Sequence, residues 1–147
     1  MNALQELQNL MFQRQCERHP LFPQDYMTQP KVTDKTANGL TKCIIAWLEL
    51  HGWQAERIVC QGTAVAKKSV NGKVVGIDWR ESHMTVGTAD ISATINGRSV
   101  KIEVKIGRDR QSEAQRQYQQ AVESAGGLYY IARDFQSFVE WCRTTKF

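Results

Sequence analysis

Two acidic residues and a lysine lie near one another around a pair of alternating segments. Asp90 precedes the first segment, and Glu103 and Lys105 end the second. Two carboxylates beside an ammonium group suit a hard divalent cation, because Mg²⁺ prefers oxygen ligands and uses one or two carboxylates. This set is what metal-dependent hydrolysis of a phosphodiester requires.

These three side chains meet only if the two segments form a β-hairpin. Asn96-Gly97 separates the segments, and this dipeptide is a strong signal for a two-residue turn. The register that follows places Asp90 opposite Glu103, with Lys105 on the same face. The two carboxylates then repel each other unless a cation lies between them or one is protonated. The other face is entirely apolar, which supports the register, and consists of Ile91, Ala93, Ile95, Val100, Ile102 and Val104.

In this order the motifs resemble the PD-(D/E)XK nuclease superfamily, and more narrowly the VRR-NUC group of small phage and bacterial nucleases. The matching residues are Gly87-Thr88-Ala89-Asp90, Glu103-Val104-Lys105 and Ser112-Glu113-Ala114-Gln115. The resemblance implies an α/β fold with an α-β-β-β-α-β core, in which helices flank a mixed central sheet. This chain would add an extra N-terminal helix.

The resemblance also implies a role for each motif residue. Asp90, Glu103 and the backbone carbonyl of Val104 would hold Mg²⁺, for which Mn²⁺ would substitute. Lys105 would orient or activate the attacking water, and Gln115 would be the auxiliary polar residue of the following helix. One metal ion or two remain open, because no glutamate begins the first core helix, where the family often has one.

Ser112 and Gln115 also have a local explanation. Ser-x-x-Gln is a capping box, in which both side chains satisfy free N–H groups at a helix start. We favour a site role for Gln115, because this helix would begin just past the strand that carries Glu103. The positive end of its dipole would also suit a phosphate.

The charge and composition of the chain limit the classes of partner that it is expected to bind. The 147 residues are the size of one domain, and a net charge of +4 with a pI near 9.0 fits a polyanion. No apolar run approaches the roughly 18 residues of a membrane span, and no secretory signal begins the chain. We predict a cytoplasmic protein (in the host cell if phage-encoded) with no membrane partner.

Basic residues are concentrated near the motifs. A solvated surface is the simpler explanation for any one of them, but we favour phosphate contact for the group beside the carboxylates. Arg98 belongs to that group by sequence proximity. The predicted nucleic-acid contacts are Lys101, Arg108, Arg110, Ser112 and Arg116, with a second cluster of Lys67, Lys68 and Lys73.

The chain divides into residues 1–35, an N-terminal helix and linker, and residues 36–147, which the resemblance implies are the nuclease-like domain. Helices are predicted over residues 2–18, 37–51 and 112–124, and after Asp134, which would cap the last one. Strands are predicted over residues 53–60 and 128–132, the latter a buried strand at the end of the sheet. The helix over 112–124 would bury Ala114, Tyr118, Ala121, Val122 and Ala125.

Residues 62–86 form an insertion with a second hairpin signal, Asn71-Gly72. Its lysines could reach across a duplex, and Trp79 could stack on an unpaired base. A surface elaboration with a partly buried tryptophan explains it equally well. Arg57, Gln61 and His83 are weaker candidates for the site.

The sequence therefore predicts a metal-dependent endonuclease acting on DNA, selective for branched, flapped or junction structures in phage or mobile-element replication, recombination or repair. DNA is preferred to RNA only through the family resemblance. A homodimer is what junction-cutting relatives suggest. The alternatives are a catalytically inactive nucleic-acid-binding module of the same fold, or an interaction protein acting through the N-terminal helix.

Overall fold

The computed structural model describes residues 1–59, 63–80 and 85–147. Within these residues, four α-helices and six strands follow one another. A short 3₁₀ helix, Gln24–Tyr26, lies in the proline-containing linker. The elements are α1 Ala3–Arg18, α2 Ala37–Leu50, β1 Gln54–Arg57, β2 Thr63–Lys68, β3 Val74–Arg80, β4 Ile91–Ile95, β5 Arg98–Val104, α3 Glu113–Ser124, β6 Leu128–Ala132 and α4 Phe135–Thr144.

The main sheet has four strands in the order β1-β4-β5-β6. β4 pairs antiparallel with both β1 and β5, whereas β6 runs parallel to β5. Asn96 and Gly97 have φ values of 48° and 81°, as a two-residue hairpin turn with both residues left-handed requires. Ile91 pairs with Ile102, so the predicted register of the central hairpin is confirmed.

Helices cover both faces of this sheet. The apolar face packs against α2 and α4, and α1 packs on those two helices. The core residues include Leu7, Leu40, Ile44, Trp47, Ile91, Ile102, Phe135 and Phe138, all at most 2% exposed. On the other face, Tyr118 of α3 makes an edge contact with Tyr129 of β6. This mixed arrangement confirms the α/β class, and its assignment to a nuclease core stays a prediction.

Two expectations about burial were wrong. The 128–132 segment is the predicted edge strand, but only Ala132 is buried, because an edge strand under one short helix is only half covered. The helix α3 has no buried residue at all. Ala121 and Ala125 are exposed. An amphipathic pattern marks the side that faces the protein, but the neighbouring structure decides how much of that side is covered.

The strands β2 and β3 form a separate two-stranded sheet. Its connection is longer than the two-residue turn that an Asn-Gly signal favours. Ser69 N–H donates to the Lys73 carbonyl at 2.8 Å, and the pairing shifts between Lys67 and Lys68. Ile77 and Trp79 are 68% and 71% exposed. The insertion is therefore an outlying hairpin, and Trp79 is not the partly buried residue of the simpler explanation.

No helix in the described part of the chain is both long and apolar enough to cross a membrane.

Candidate functional site

Two hydrogen bonds from backbone N–H groups fix the position of Asp90. It directly precedes β4, and its carbonyl accepts from the N–H of Ile58 at 2.8 Å. Its Oδ2 accepts from the backbone N–H of Val104 at 2.8 Å. The hairpin thus holds the Asp90 carboxylate against the segment that carries Glu103, as the register requires.

Glu103 is almost fully buried, at 1% exposure, although it is charged by type. Both of its carboxylate oxygens have partners. Oε1 lies 3.1 Å from the Lys105 ammonium and also accepts a short hydrogen bond from Nε2 of Gln115. Oε2 accepts from the Tyr129 hydroxyl at 3.5 Å. Buried charges need such partners, because desolvation is otherwise costly.

These partners do not fully offset the cost of holding the Glu103 carboxylate buried and close to Asp90. Burial raises the pKa of Glu103, and the Asp90 charge raises it further, while Lys105 and the Tyr129 hydroxyl lower it less. Burial together with the Glu103 charge also raises the pKa of Tyr129 to about 12. Tyr129 is therefore a neutral hydrogen-bond donor at physiological pH. The centre has an excess of negative charge.

Lys105 connects this centre to the loop after β5. The residue is 6% exposed, and its backbone N–H donates to the Ala132 carbonyl of β6 at 2.9 Å. Its ammonium lies 3.5 Å from Oδ2 of Asp109 as well as 3.1 Å from Glu103. A buried lysine held between two carboxylates has a defined position, which suits a group that must orient a small molecule such as water.

The Gln115 side chain takes part in the capping box of α3 and also contacts Glu103. Its Oε1 accepts from the Ser112 backbone N–H at 2.9 Å, and Ser112 Oγ accepts from the Gln115 N–H at 3.2 Å, so the capping box is present. The same side chain donates through Nε2 to Glu103. The cap therefore orients the amide that reaches Glu103.

Gly87 explains why the helix start can approach the site so closely. Its φ is +84°, and a Cβ built there would lie 2.4 Å from the backbone of Ala114 and 2.8 Å from the N atom of Gln115. A side chain would therefore clash with the first turn of α3. The glycine of the Gly87-to-Asp90 motif is required by this contact.

Asp90 and Glu103 are the side chains of the centre that could hold a hard cation. Asp90 and Glu103 repel each other across the hairpin, and each can offer carboxylate oxygens of the kind that Mg²⁺ or Mn²⁺ prefers. Among residues 1–59, 63–80 and 85–147, no group of three or more acidic, histidine or cysteine side chains forms a fuller cage. Water and the Val104 carbonyl would have to complete the coordination.

The predicted phosphate contacts fall into different environments. Lys101 lies on the polar face and donates to Ser92 Oγ at 2.6 Å. Arg116 is paired with Glu113 at 2.6 Å on the exposed side of α3. Arg108 and Arg110 are exposed in the loop after Lys105. Ser112 is the N-cap of α3, beside them.

Arg98 does not lie near the site, contrary to the prediction. It begins β5, whereas Glu103 and Lys105 lie at the other end, roughly 20 Å away along an extended strand. Its guanidinium donates to the Lys146 carbonyl instead. Proximity in sequence was misleading here, because a strand carries nearby residues to opposite edges of a sheet.

The lysines of the outlying hairpin remain separate from the centre. Lys67 and Lys68 lie in β2, Lys73 lies in the turn, and Lys67 pairs with Asp78 at 3.5 Å. Within the described residues, no hydrogen bond or ion pair joins these lysines to Asp90 or Glu103. Arg57 donates to Asn38 at 2.7 Å. Gln61 and His83 lie outside the residues described.

Sequence reasoning missed Tyr129 and Arg133. Tyr129 pairs with Lys101 across the parallel strands, which places it on the face of Glu103. Arg133 follows β6 and donates to the Asp109 carbonyl at 3.3 Å. Alternation in β6 was the available signal, but the register of a parallel strand reached through a helix is not set by local sequence.

Comparisons of the chain with family models, curated proteins and solved structures find no match. The likeness to VRR-NUC nucleases rests on the motif residues described above.

Proposed function

We propose that this protein is a metal-dependent nuclease that hydrolyses phosphodiester bonds in DNA. The observation that carries the proposal is the buried Glu103, whose pKa is raised by burial and by Asp90 although Lys105 lies 3.1 Å away. Keeping two carboxylates together at such a cost is typical of functional sites. A divalent cation is the ligand that would relieve their repulsion.

Each residue of the centre has a distinct part in the proposed reaction. Asp90 and Glu103 would hold Mg²⁺ or Mn²⁺, which supplies activation of water and neutralisation of the phosphate. Lys105 would orient the attacking water from its fixed position. Gln115 and Tyr129 would fix the Glu103 carboxylate, acting as positioning residues rather than as groups that touch the substrate.

Contacts to the nucleic-acid backbone fit a structure-selective enzyme better than a sequence-specific one. Exposed arginines in the loop after Lys105 are suited to phosphates, which carry no base information. Branched, flapped or junction DNA is therefore the expected substrate class. The family resemblance supports the same expectation and is the reason for preferring DNA to RNA.

A binding module without turnover is the second candidate. One observation favours it: both oxygens of Glu103 already accept from Lys105, Gln115 and Tyr129. These three partners leave fewer free lone pairs on Glu103 for a metal, since a carboxylate offers about four acceptor sites. Retention of Asp90, Glu103 and Lys105 together favours the enzyme.

A cleavage assay separates the two candidates. Branched, flapped, single-stranded and duplex DNA and RNA are incubated with the protein in Mg²⁺, Mn²⁺ or EDTA. We expect metal-dependent product with the wild type, a loss of about 10–100-fold for Gln115→Ala, and a larger loss for Asp90→Asn, Glu103→Gln and Lys105→Met. Glu140→Gln, an exposed change on α4, should cut normally.

The enzyme proposal is overturned if no substrate gives a metal-dependent product. The site assignment is overturned separately if Glu103→Gln cuts as well as the wild type. Normal DNA binding with lost cleavage in Lys105→Met would identify that lysine as catalytic rather than as an electrostatic anchor.

A further inference from the structure

A basic cleft lies at the end of the sheet where Lys105 lies. Its volume is about 540 Å³, and its lining consists of Gly107, Arg108, Asp109, Arg110 and Arg133. The four loop residues follow β5, and Arg133 follows β6, the parallel neighbour of β5. Two strands that end at the same edge therefore bring three arginines to one concave surface.

The loop that carries two of these arginines is held in place. Asp109 N–H donates to the Ile106 carbonyl at 3.1 Å, and Gly107 has a φ of +58° at the turn. Arg133 donates to the Asp109 carbonyl at 3.3 Å, which ties the loop to the end of β6. The cleft is thus a built surface, with defined contacts between its two sides.

The charge in the cleft is not balanced from within. Its only lining carboxylate, Asp109, is directed to the Lys105 ammonium at 3.5 Å. Across the described residues, no carboxylate lies within ion-pair distance of Arg108, Arg110 or Arg133. Other arginines differ in this respect: Arg116 pairs with Glu113, and Arg143 pairs with Glu6.

The chemistry of the cleft favours a phosphate. A guanidinium group presents a planar fork of donors that matches phosphate oxygens, and several forks around one concavity suit a single dianion or two adjacent phosphodiesters. Asp109 links the cleft to Lys105, so an anion bound there would lie next to the carboxylate centre. A backbone phosphate next to the cleaved one, on the same nucleic-acid strand, fits this position.

We propose that the cleft formed by Arg108, Arg110 and Arg133 is a subsite for a backbone phosphate of nucleic acid, adjacent to the phosphate that is cleaved. The proposal rests on the proposed nuclease function for its substrate, but not for its binding chemistry. Arg133 becomes a substrate-binding residue in a position that the motifs do not mark.

Binding without hydrolysis tests the subsite. Fluorescence anisotropy of a fluorescein-labelled flapped DNA duplex is followed in EDTA at several salt concentrations. We expect Arg133→Ala and Arg108→Ala each to weaken binding about 10-fold and to reduce the salt slope by about 1, since one phosphate contact is lost. Arg133→Lys should recover part of the affinity, because it keeps the charge and loses the fork.

Arg98→Ala is the matched control, since it removes the same charge from the opposite end of β5. It should change the affinity less than about 2-fold. The subsite is overturned if Arg133→Ala and Arg108→Ala bind as the wild type does, or lose no more affinity than Arg98→Ala. It is also overturned if inorganic phosphate raises the Tm through Arg133 while DNA binding is unaffected, because free phosphate would then be the ligand.

Cleavage assays keep the two proposals apart. Wild-type protein that binds DNA through Arg133 but never cuts would retain the subsite and reject the nuclease. Protein that cuts DNA, with Arg133→Ala and Arg108→Ala binding and cutting normally, would retain the nuclease and reject the subsite.

Discussion

Two hairpins in this chain carry the same Asn-Gly signal and have different structures. The central hairpin, β4 and β5, turns in two residues at Asn96-Gly97 and buries one complete face. The outlying hairpin, β2 and β3, needs residues 69–73 to turn, shifts its register, and leaves Ile77 and Trp79 exposed. The dipeptide allows a turn in both, but only the central hairpin is held in register by a core.

This difference explains why the paired carboxylates lie in the central hairpin and not in the outlying one. Asp90 and Glu103 repel each other, and only a register fixed by buried neighbours such as Ile91 and Ile102 keeps them together. A two-stranded sheet without a core is marginal in water, so it cannot hold two like charges at fixed positions.

The largest expected effect is a difference in unfolding free energy between matched isoleucine-to-alanine changes in the two hairpins. Ile102→Ala removes a fully buried side chain and should lower the free energy of unfolding by about 2–5 kcal/mol. Ile77→Ala is the matched change in the outlying hairpin, where the side chain is 68% exposed, and should change it by less than about 0.5 kcal/mol. Urea unfolding measures both. Equal losses would show that β2 and β3 share the core.

A smaller effect compares the two turns. Gly97 and Gly72 have φ values of 81° and 77°, and a Cβ at either meets nothing within 4 Å. The strain of a left-handed alanine is therefore the same, about 1–2 kcal/mol. Gly97→Ala should lower global stability by that amount, whereas Gly72→Ala should leave it nearly unchanged. Thermal unfolding of the two variants compares them, and a larger loss for Gly72→Ala would reverse the ranking of the hairpins.

A third effect concerns the cost of charge in the central hairpin. Because the folded-state pKa of Glu103 is raised, the fold binds this proton more tightly than the unfolded chain does. The stability linked to it is fully present below the unfolded pKa, near the ordinary value of 4.5, and is lost as the pH rises through the higher folded-state pKa.

Glu103→Gln removes that loss. Without metal, its stability advantage over the wild type should grow as the pH rises above about 4.5 and level off above the raised folded-state pKa. Melting curves in EDTA from low to neutral pH test this, with Glu140→Gln expected to follow the wild type. An advantage that shrinks with rising pH would mean that Lys105 outweighs Asp90 and burial.

Local sequence predicted the central part of this fold well. The Asn96-Gly97 turn, its alternating faces, and the caps Ser112 and Asp134 follow from signals within a few residues. Each of these features depends on neighbours along the chain, so a single sequence contains the necessary information.

Features set by distant packing were not predictable in the same way. Tyr129 reaches Glu103 only because β6 pairs with β5 in one particular parallel register. Arg133 reaches the loop of Asp109 for the same reason. Arg98 was misplaced because sequence distance was used in place of distance along a strand. Burial of α3 was overestimated, because periodicity cannot show how much surface a neighbour covers.

Divalent metal binding tests most directly the claim that Asp90 and Glu103 form a cation site. Thermal unfolding is measured with and without Mg²⁺ or Mn²⁺ for the wild type, Asp90→Asn, Glu103→Gln and the control Asp78→Asn, an exposed acid of the outlying hairpin. We expect the metal to raise the Tm of the wild type and Asp78→Asn, and to leave the Tm of Asp90→Asn and Glu103→Gln unchanged. An equal rise in all four proteins, or none in the wild type, would contradict the claim.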